Sequence, residues 1–172
     1  MTLLTGGIYP LIVTVIGQSL LVDKANGSLI RKDGRVIGSE LIGQNFLDPK
    51  YFWSRPSATD YNPLPSGGSN LGLTSKDLQA KFKERSEKYK NGGKQIPADL
   101  LFASASGLDP HITAEAARFQ ISRVVSERHL SSEQQDKLYK LINDLDEKPD
   151  YTLFGERRVN VVKLNLALDQ NF

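Results

Sequence analysis

Two short stretches of this 172-residue chain gather side chains able to do chemistry. Ser104, Ser106, Asp109 and His111 supply the residue types of a nucleophilic triad, in which an imidazole takes the serine proton and a carboxylate holds the imidazole. Their spacing argues against that use, because a Gly-x-Ser-x-Gly elbow around Ser106 needs glycine where Ser104 stands. Asp109-Pro110 reads instead as a turn, with Thr113 capping the helix that follows. The second stretch, Ser66-Gly67-Gly68-Ser69-Asn70-Leu71-Gly72, is able to aim backbone N–H groups at a phosphate, but no Gly-Lys-Ser/Thr follows to complete a P-loop. A tight turn requiring positive φ is the plainer role for its glycines.

Other chemistries are excluded by what is missing. His111 and His129 are the only histidines, there is no cysteine, and the two imidazoles lack carboxylates at ligand spacing, so no metal site is expected. No Walker lysine, dinucleotide fingerprint, HExxH or Asp-Lys-Thr-Gly-Thr phosphorylation sequence occurs. The chain is therefore expected to be no enzyme by itself and to require no cofactor. With 22 basic and 20 acidic side chains the net charge is +2, too near balance to hold a phosphate backbone, and nucleic acid is not an expected partner.

The elements that must position these residues begin with an uneven distribution of charge. Every Lys, Arg, Asp and Glu lies at or after Asp23, and residues 1–22 carry none. As a helix this run would rise roughly 33 Å, about the thickness of a bilayer's hydrocarbon core. Thr2, Thr5, Gly6, Gly7, Pro10, Gln18 and Ser19 dilute its apolar character. Three readings compete: a transmembrane helix, a cleaved signal peptide and a core helix. A signal peptide should open with basic residues, whereas the first here is Lys24. Pro10 suits a spanning helix whose neighbours satisfy the carbonyl it frees.

Beyond this run, Asn26-Gly27 reads as a turn. Residues 28–32 and 35–42 flank Asp33-Gly34 as a hairpin, since a two-residue type I′ turn needs positive φ at both positions. Residues 44–72 hold four prolines, three glycines and the aromatic cluster Tyr51, Phe52 and Trp53, with no period, and read as an ordered surface lobe. A helix capped by Thr74 or Ser75 is predicted to carry Leu78, Phe82, Arg85 and Tyr89 on one side, with Lys90 in its last turn and Asn91-Gly92-Gly93 ending it. Its outer face, with Lys81, Lys83, Arg85, Lys88, Lys90 and Lys94, reads as a solvated surface interrupted by Glu84 and Glu87, or as a contact for anionic lipid. A second helix is predicted after Thr113, burying Ala117, Ile121, Val124 and Val125. A third starts at the capping box Ser131-Ser132-Glu133-Gln134 and presents Leu138, Leu141, Ile142 and Leu145. Residues 159–168 fit a strand through Val162, Leu164, Leu166 and Leu168 and a helix through Val161, Leu164 and Leu168.

Several of these stretches together resemble the C-subunit (KdpC) family of Kdp-type potassium-transporting ATPases. They are Thr5-Gly6-Gly7-Ile8-Tyr9-Pro10, Ala25-Asn26-Gly27-Ser28-Leu29-Ile30, Leu41-Ile42-Gly43-Gln44-Asn45-Phe46, Tyr51-Phe52 and Arg55-Pro56-Ser57-Ala58. The pattern continues through the 66–72 run, Ala103-Ser104-Ala105-Ser106-Gly107-Leu108-Asp109-Pro110-His111-Ile112, Arg158-Val159-Asn160-Val161 and Leu164-Asn165-Leu166-Ala167-Leu168-Asp169. Each is weak alone; their order and spacing over nearly the whole chain are specific.

The resemblance implies an α+β protein with a single N-terminal transmembrane helix, residues 1–22, followed by one globular extracytoplasmic α+β domain, residues 23–172, at the inner (cell) membrane. Because family members usually carry a basic start and further apolar residues first, the anchor is expected to be shortened. Implied partners are a channel-like potassium-translocating subunit, a P-type ATP-hydrolysing subunit, a small single-span subunit and membrane lipid. The implied role is to stabilise the complex and to act as a catalytic chaperone raising its affinity for ATP, with ATP itself bound in the complex as a further implication. The alternative is a tethered phosphate- or nucleotide-binding module using the Gly-rich loop. Partner or nucleotide contacts are expected at Arg55, Ser57, Ser66, Gly67, Gly68, Ser69, Asn70, Ser106, Asp109 and His111.

Overall fold

The apolar amino-terminal run is helical, and the periodic segments near the carboxyl end form helices packed on a small sheet, in a computed structural model that describes residues 1–89, 95–149 and 154–172. The chain divides into two compact units, Met1–Ile42 and Gly43–Phe172.

In the first unit a π-helical turn, Leu4–Ile8, leads into α1, Tyr9–Leu20. Pro10 has no N–H to offer a preceding carbonyl, and the widened turn lies immediately ahead of it. Leu21, at φ −135° and ψ 44°, separates α1 from the short α2, Val22–Ala25. In place of one continuous helix over residues 1–22 the run is thus interrupted. Among the described residues no helix is long and apolar enough to cross a membrane. None of its side chains is buried within the unit, and Leu11, Ile12, Val13, Val15 and Ile16 are all at least half exposed.

The hairpin forms as predicted, from β1, Leu29–Lys32, and β2, Arg35–Ser39. Asp33 and Gly34 have φ of 51° and 76°, the pair of positive values a type I′ turn requires. β2 ends at Ser39, short of the predicted residue 42, where the Ser39 hydroxyl donates to the Gly27 carbonyl at 2.7 Å.

In the second unit residues 43–72 contain no regular element and lead to α3, Lys76–Lys88. Ser75 occupies the N-cap position of α3, but its side chain makes no capping bond. The predicted stop at Asn91-Gly92-Gly93, with Lys90 and Lys94, lies outside the described residues. A 3₁₀ turn, Ala98–Leu100, precedes β3, His111–Ile112, and α4, Ala114–Glu127, whose N-cap Thr113 accepts from the Ala116 N–H. α5, Ser132–Asp144, begins at the predicted capping box, with the Ser131 and Gln134 side chains each accepting from the other's backbone. β4, Asp146–Glu147, β5, Arg158–Asn160, and α6, Val161–Asn171, complete the unit.

Of the two readings of the carboxyl-terminal segment the helical one holds, with Val161, Leu164 and Leu168 buried in α6, and the strand through Val162, Leu164, Leu166 and Leu168 does not form, because the chain passes from β5 to helix at Asn160. Its side chain accepts from the Val162 and Lys163 N–H groups, ending β5 and starting α6 in one residue. β5 lies between β3 and β4, antiparallel to each. Ile121 and Val124 of α4, Leu138 and Ile142 of α5, and Leu164 and Leu168 of α6 close around it with Val159 and Phe52. Each enclosed aliphatic chain contributes about 1.5–3 kcal/mol. Phe52 comes from the lobe, so the aperiodic segment is part of the core.

Candidate functional site

A loop that contributes a core residue must satisfy its own backbone there, and two buried amides do this for the lobe. Asn165 of α6 accepts from the Phe52 N–H at 2.8 Å and donates to the Phe52 carbonyl at 2.9 Å. Gln120 of α4 does the same for Trp53, at 2.8 and 3.1 Å. Helix side chains here take the place of a neighbouring strand, leaving no peptide group of these two residues unpaired in the interior. Beside them the Arg123 guanidinium stacks 3.7 Å from the Trp53 ring centre, donates to the Tyr51 and Pro49 carbonyls, and donates to Gln120 Oε1 at 2.7 Å. Burial pushes Arg123 down to about 10, so it stays charged at neutral pH. The Tyr51 hydroxyl donates to Asp169, which also pairs with Arg128.

The lobe is sewn to the loop of residues 103–110 by backbone contacts that only small residues allow. The Gly43 N–H donates to the Leu108 carbonyl at 2.7 Å, the Ser104 N–H to the Pro56 carbonyl at 3.0 Å, and the Ser57 hydroxyl to the Gly107 carbonyl at 2.7 Å. Gly107 has φ 71°, and a Cβ there would stand 2.7 Å from Thr59 Oγ1 and 2.8 Å from the Gly67 carbonyl. A Cβ on Gly68 would meet the Ala105 carbonyl at 2.9 Å. The Tyr61 hydroxyl donates to the Arg55 carbonyl, and burial raises its pKa to about 12.

Where the two loops reach the sheet, charges alternate. Asp109 accepts from the His111 N–H at 3.0 Å, lies 3.2 Å from His111 Nδ1, and faces Arg55 Nη1 at 3.4 Å. Burial raises the Asp109 carboxyl, but the His111 hydrogen bonds and the charges of His111 and Arg55 outweigh it and hold the group below the ordinary carboxylate range. Glu147 continues the series, 4.0 Å from His111 Nε2, 3.1 Å from Arg158 and 3.5 Å from Lys163.

The predicted site residues therefore separate into groups. Arg55, Asp109 and His111 meet in the ion-paired cluster, and Ser57 sits at the seam. Gly67 and Gly68 back the same seam, with no Cβ room at Gly68 and open space at Gly67. Ser69 borders a cavity beside α3, Ser66 and Asn70 are exposed, and Asn70 takes the positive φ, 52°. The Ser106 hydroxyl accepts from the Leu108 N–H and does not join the Asp109–His111 pair, so the triad reading of these residues finds no support in their arrangement. Gln120, Asn165 and Arg123 were not singled out. For Gln120 and Asn165 the signal was an amide on the buried face of its helix, and half-buried Arg123 carried none.

The lobe and the loop of residues 103–110 are thus held by buried amides and by close glycine contacts. Residues 1–170 match the family model described as KdpC: K+-transporting ATPase, c chain. The chain is 50% identical to the Methylococcus capsulatus protein named potassium-transporting ATPase KdpC subunit, over 98% of this chain and 90% of that one. It is 49% identical to the proteins of the same name from Dechloromonas aromatica and Geotalea uraniireducens, over 98% of this chain and 91% of each of theirs. The chain belongs to the KdpC family, whose members are accessory rather than catalytic subunits.

Proposed function

We propose that this chain is the C subunit of an ATP-driven potassium import complex at the cell membrane. There it steadies the association of a channel-like potassium-translocating subunit, a P-type ATP-hydrolysing subunit and a small single-span subunit. The observation that carries this reading is family membership over residues 1–170. The braced lobe supports it, because a preformed surface docks without a large ordering cost.

Residues 1–22 seat in the membrane against a partner helix, and the unit from Gly43 onward lies outside the cytoplasm. An uncharged run rich in exposed Leu, Ile and Val, carrying Pro10, supports this placement. The chain acts as a catalytic chaperone through assembly: it raises the ATP affinity of the hydrolysing subunit by holding the complex in its competent arrangement. A seam that fills the space over Gly68 favours this route over a phosphate cradle in residues 66–72.

The test is to prepare the complex with and without this chain and to follow particle integrity by size exclusion and potassium-stimulated ATP hydrolysis. Without the chain the partner subunits should separate and the KM for ATP should rise several-fold. An intact particle with unchanged KM would contradict the proposal.

A further inference from the structure

The helical run at the amino end leaves main-chain acceptors without donors. In the widened turn Leu4–Ile8 the Tyr9 N–H reaches back five positions, to the Leu4 carbonyl. In α1 the α-helical ladder resumes, and the Ile12 N–H meets the carbonyl of Ile8, the N-cap residue. Between those two bonds stand the carbonyls of Thr5, Gly6 and Gly7, facing only the positions of Pro10 and Leu11 as donors. Pro10 has no N–H. The Leu11 N–H serves Gly7 at α-helical spacing or Gly6 at the wider one, and does not reach Thr5 at either. The Thr5 carbonyl therefore has no donor in the ladder, and one of the two glycine carbonyls shares its condition. A proline in an unbroken α-helix frees one carbonyl; the change of register ahead of Pro10 frees a second.

Side chains do not make up the deficit. The Thr5 hydroxyl donates to the Met1 carbonyl at 3.2 Å, and the Gln18 and Asn26 amides bond each other and the Val22 carbonyl. Among the described residues no side chain donates to the carbonyl of Thr5, Gly6 or Gly7. The backbone is also bare at this place. A Cβ on Gly6 or on Gly7 would meet nothing within 4 Å, and the flanking Leu3, Leu4 and Ile8 are at least half exposed. Two glycines without side chains let another backbone or a short polar side chain come close to the freed carbonyls.

In water such carbonyls are solvated. Within the uncharged run that seats in the membrane they need a donor, because hydrocarbon supplies none. We infer that the turn Thr5–Gly7 is the contact for a transmembrane helix of a partner subunit, which lies against Gly6 and Gly7 and donates a side-chain O–H or N–H to the Thr5 carbonyl. The inference rests on the proposed function and names, within it, the contact surface and the chemistry of the partner. A wholly apolar helix would pack anywhere along the Leu, Ile and Val of α1 and leave the carbonyl unpaired. A helix carrying one donor satisfies it at a single register, so the bond sets the height of this chain against its partner.

Thr5-Gly6 is the only Thr-Gly pair in the sequence, so threonine labelled with 13C at the carbonyl together with 15N-glycine marks this one peptide link for NMR. The Thr5 carbonyl resonance is read in the full chain alone in lipid and in the reconstituted complex. It should move downfield on assembly, the direction of a newly accepted hydrogen bond, and Pro10→Ala, which restores an N–H, should place it downfield in the chain alone. Gly6→Val should lower recovery of the partner chains from detergent-solubilised membranes at least tenfold while far-UV circular dichroism is unchanged, and Ile16→Val in the same run should not. A resonance that does not move on assembly would overturn the contact. So would one already downfield in the unaltered chain alone, where water or lipid is the donor, a Pro10→Ala chain without the shift, or full recovery of partners by Gly6→Val. If the unaltered chain itself recovers no partner subunit, the proposed function fails, and the contact with it; if it does and Gly6→Val matches it, only the contact is lost.

Discussion

The side-chain amide of Asn165 pairs with both the N–H and the carbonyl of Phe52, 113 positions earlier in the chain. One residue on α6 thus fixes the lobe to the core, and Gln120 on α4 repeats the device at Trp53. Asn165→Ala would leave a buried donor and a buried acceptor unpaired, at a cost of about 2–4 kcal/mol. Asn165→Asp, nearly isosteric, should be comparably severe at neutral pH, since a carboxylate cannot donate to the Phe52 carbonyl. Urea unfolding followed by circular dichroism measures both losses; a change under about 0.5 kcal/mol in either variant would be incompatible with this role.

Gly107 and Gly67 face each other at the seam but differ in freedom. Gly107→Ala combines positive φ with a Cβ inside contact distance of Thr59 and the Gly67 carbonyl. It should destabilise by about 1–3 kcal/mol and loosen the lobe, read as faster amide exchange over residues 54–61. Gly67→Ala has open space and no positive φ, so a thermal midpoint near that of the unaltered chain is expected.

Arg123→Lys keeps the charge but loses the planar stack on Trp53 and the fork that reaches Tyr51 and Gln120. About 1–2 kcal/mol of stability should go, with a shift in the fluorescence of Trp53, the only tryptophan. An unchanged emission maximum and midpoint would show that the stack contributes nothing.

Asp109 and Glu147 both have carboxyls held below their ordinary range, burial being outweighed by hydrogen bonds and neighbouring cations. A depressed folded-state pKa means that the unfolded chain binds more protons in the acid range. The stabilisation is therefore present above the unfolded value, near 4, and is lost as pH falls through the folded value. Stability followed from pH 6 to pH 2 should decline through that window, and Asp109→Asn should flatten the decline. An equally steep acid limb in the variant would remove Asp109 from the linkage.

Local chemistry was readable from the chain; distant pairing was not. The capping box at Ser131, the Thr113 cap and the Asp33-Gly34 turn each depend on residues within three positions, and each forms as predicted. The family resemblance was legible because it runs the length of the chain. Asn165 and Gln120 gave only the signal of an amide on an apolar face, since their partners lie 113 and 67 positions away in a segment without period. Ser106, Asp109 and His111 suggest a triad by type, and Asp109 does bond the backbone and ring of His111, but the Ser106 hydroxyl takes the Leu108 N–H and stays out of the pair, which spacing alone does not reveal. The long lobe reads as surface by composition, while Phe52 within it is wholly buried.

The most direct measurement is recovery on the tagged full-length chain from detergent-solubilised membranes of cells expressing the whole potassium-import system, with ATP hydrolysis assayed on the eluate and on the chain alone. Expected is co-elution of a channel-like chain and a P-type ATPase chain at constant ratio, hydrolysis in the eluate and none by the chain alone. Turnover by the isolated chain, or elution without either partner, would contradict an accessory role in a potassium pump.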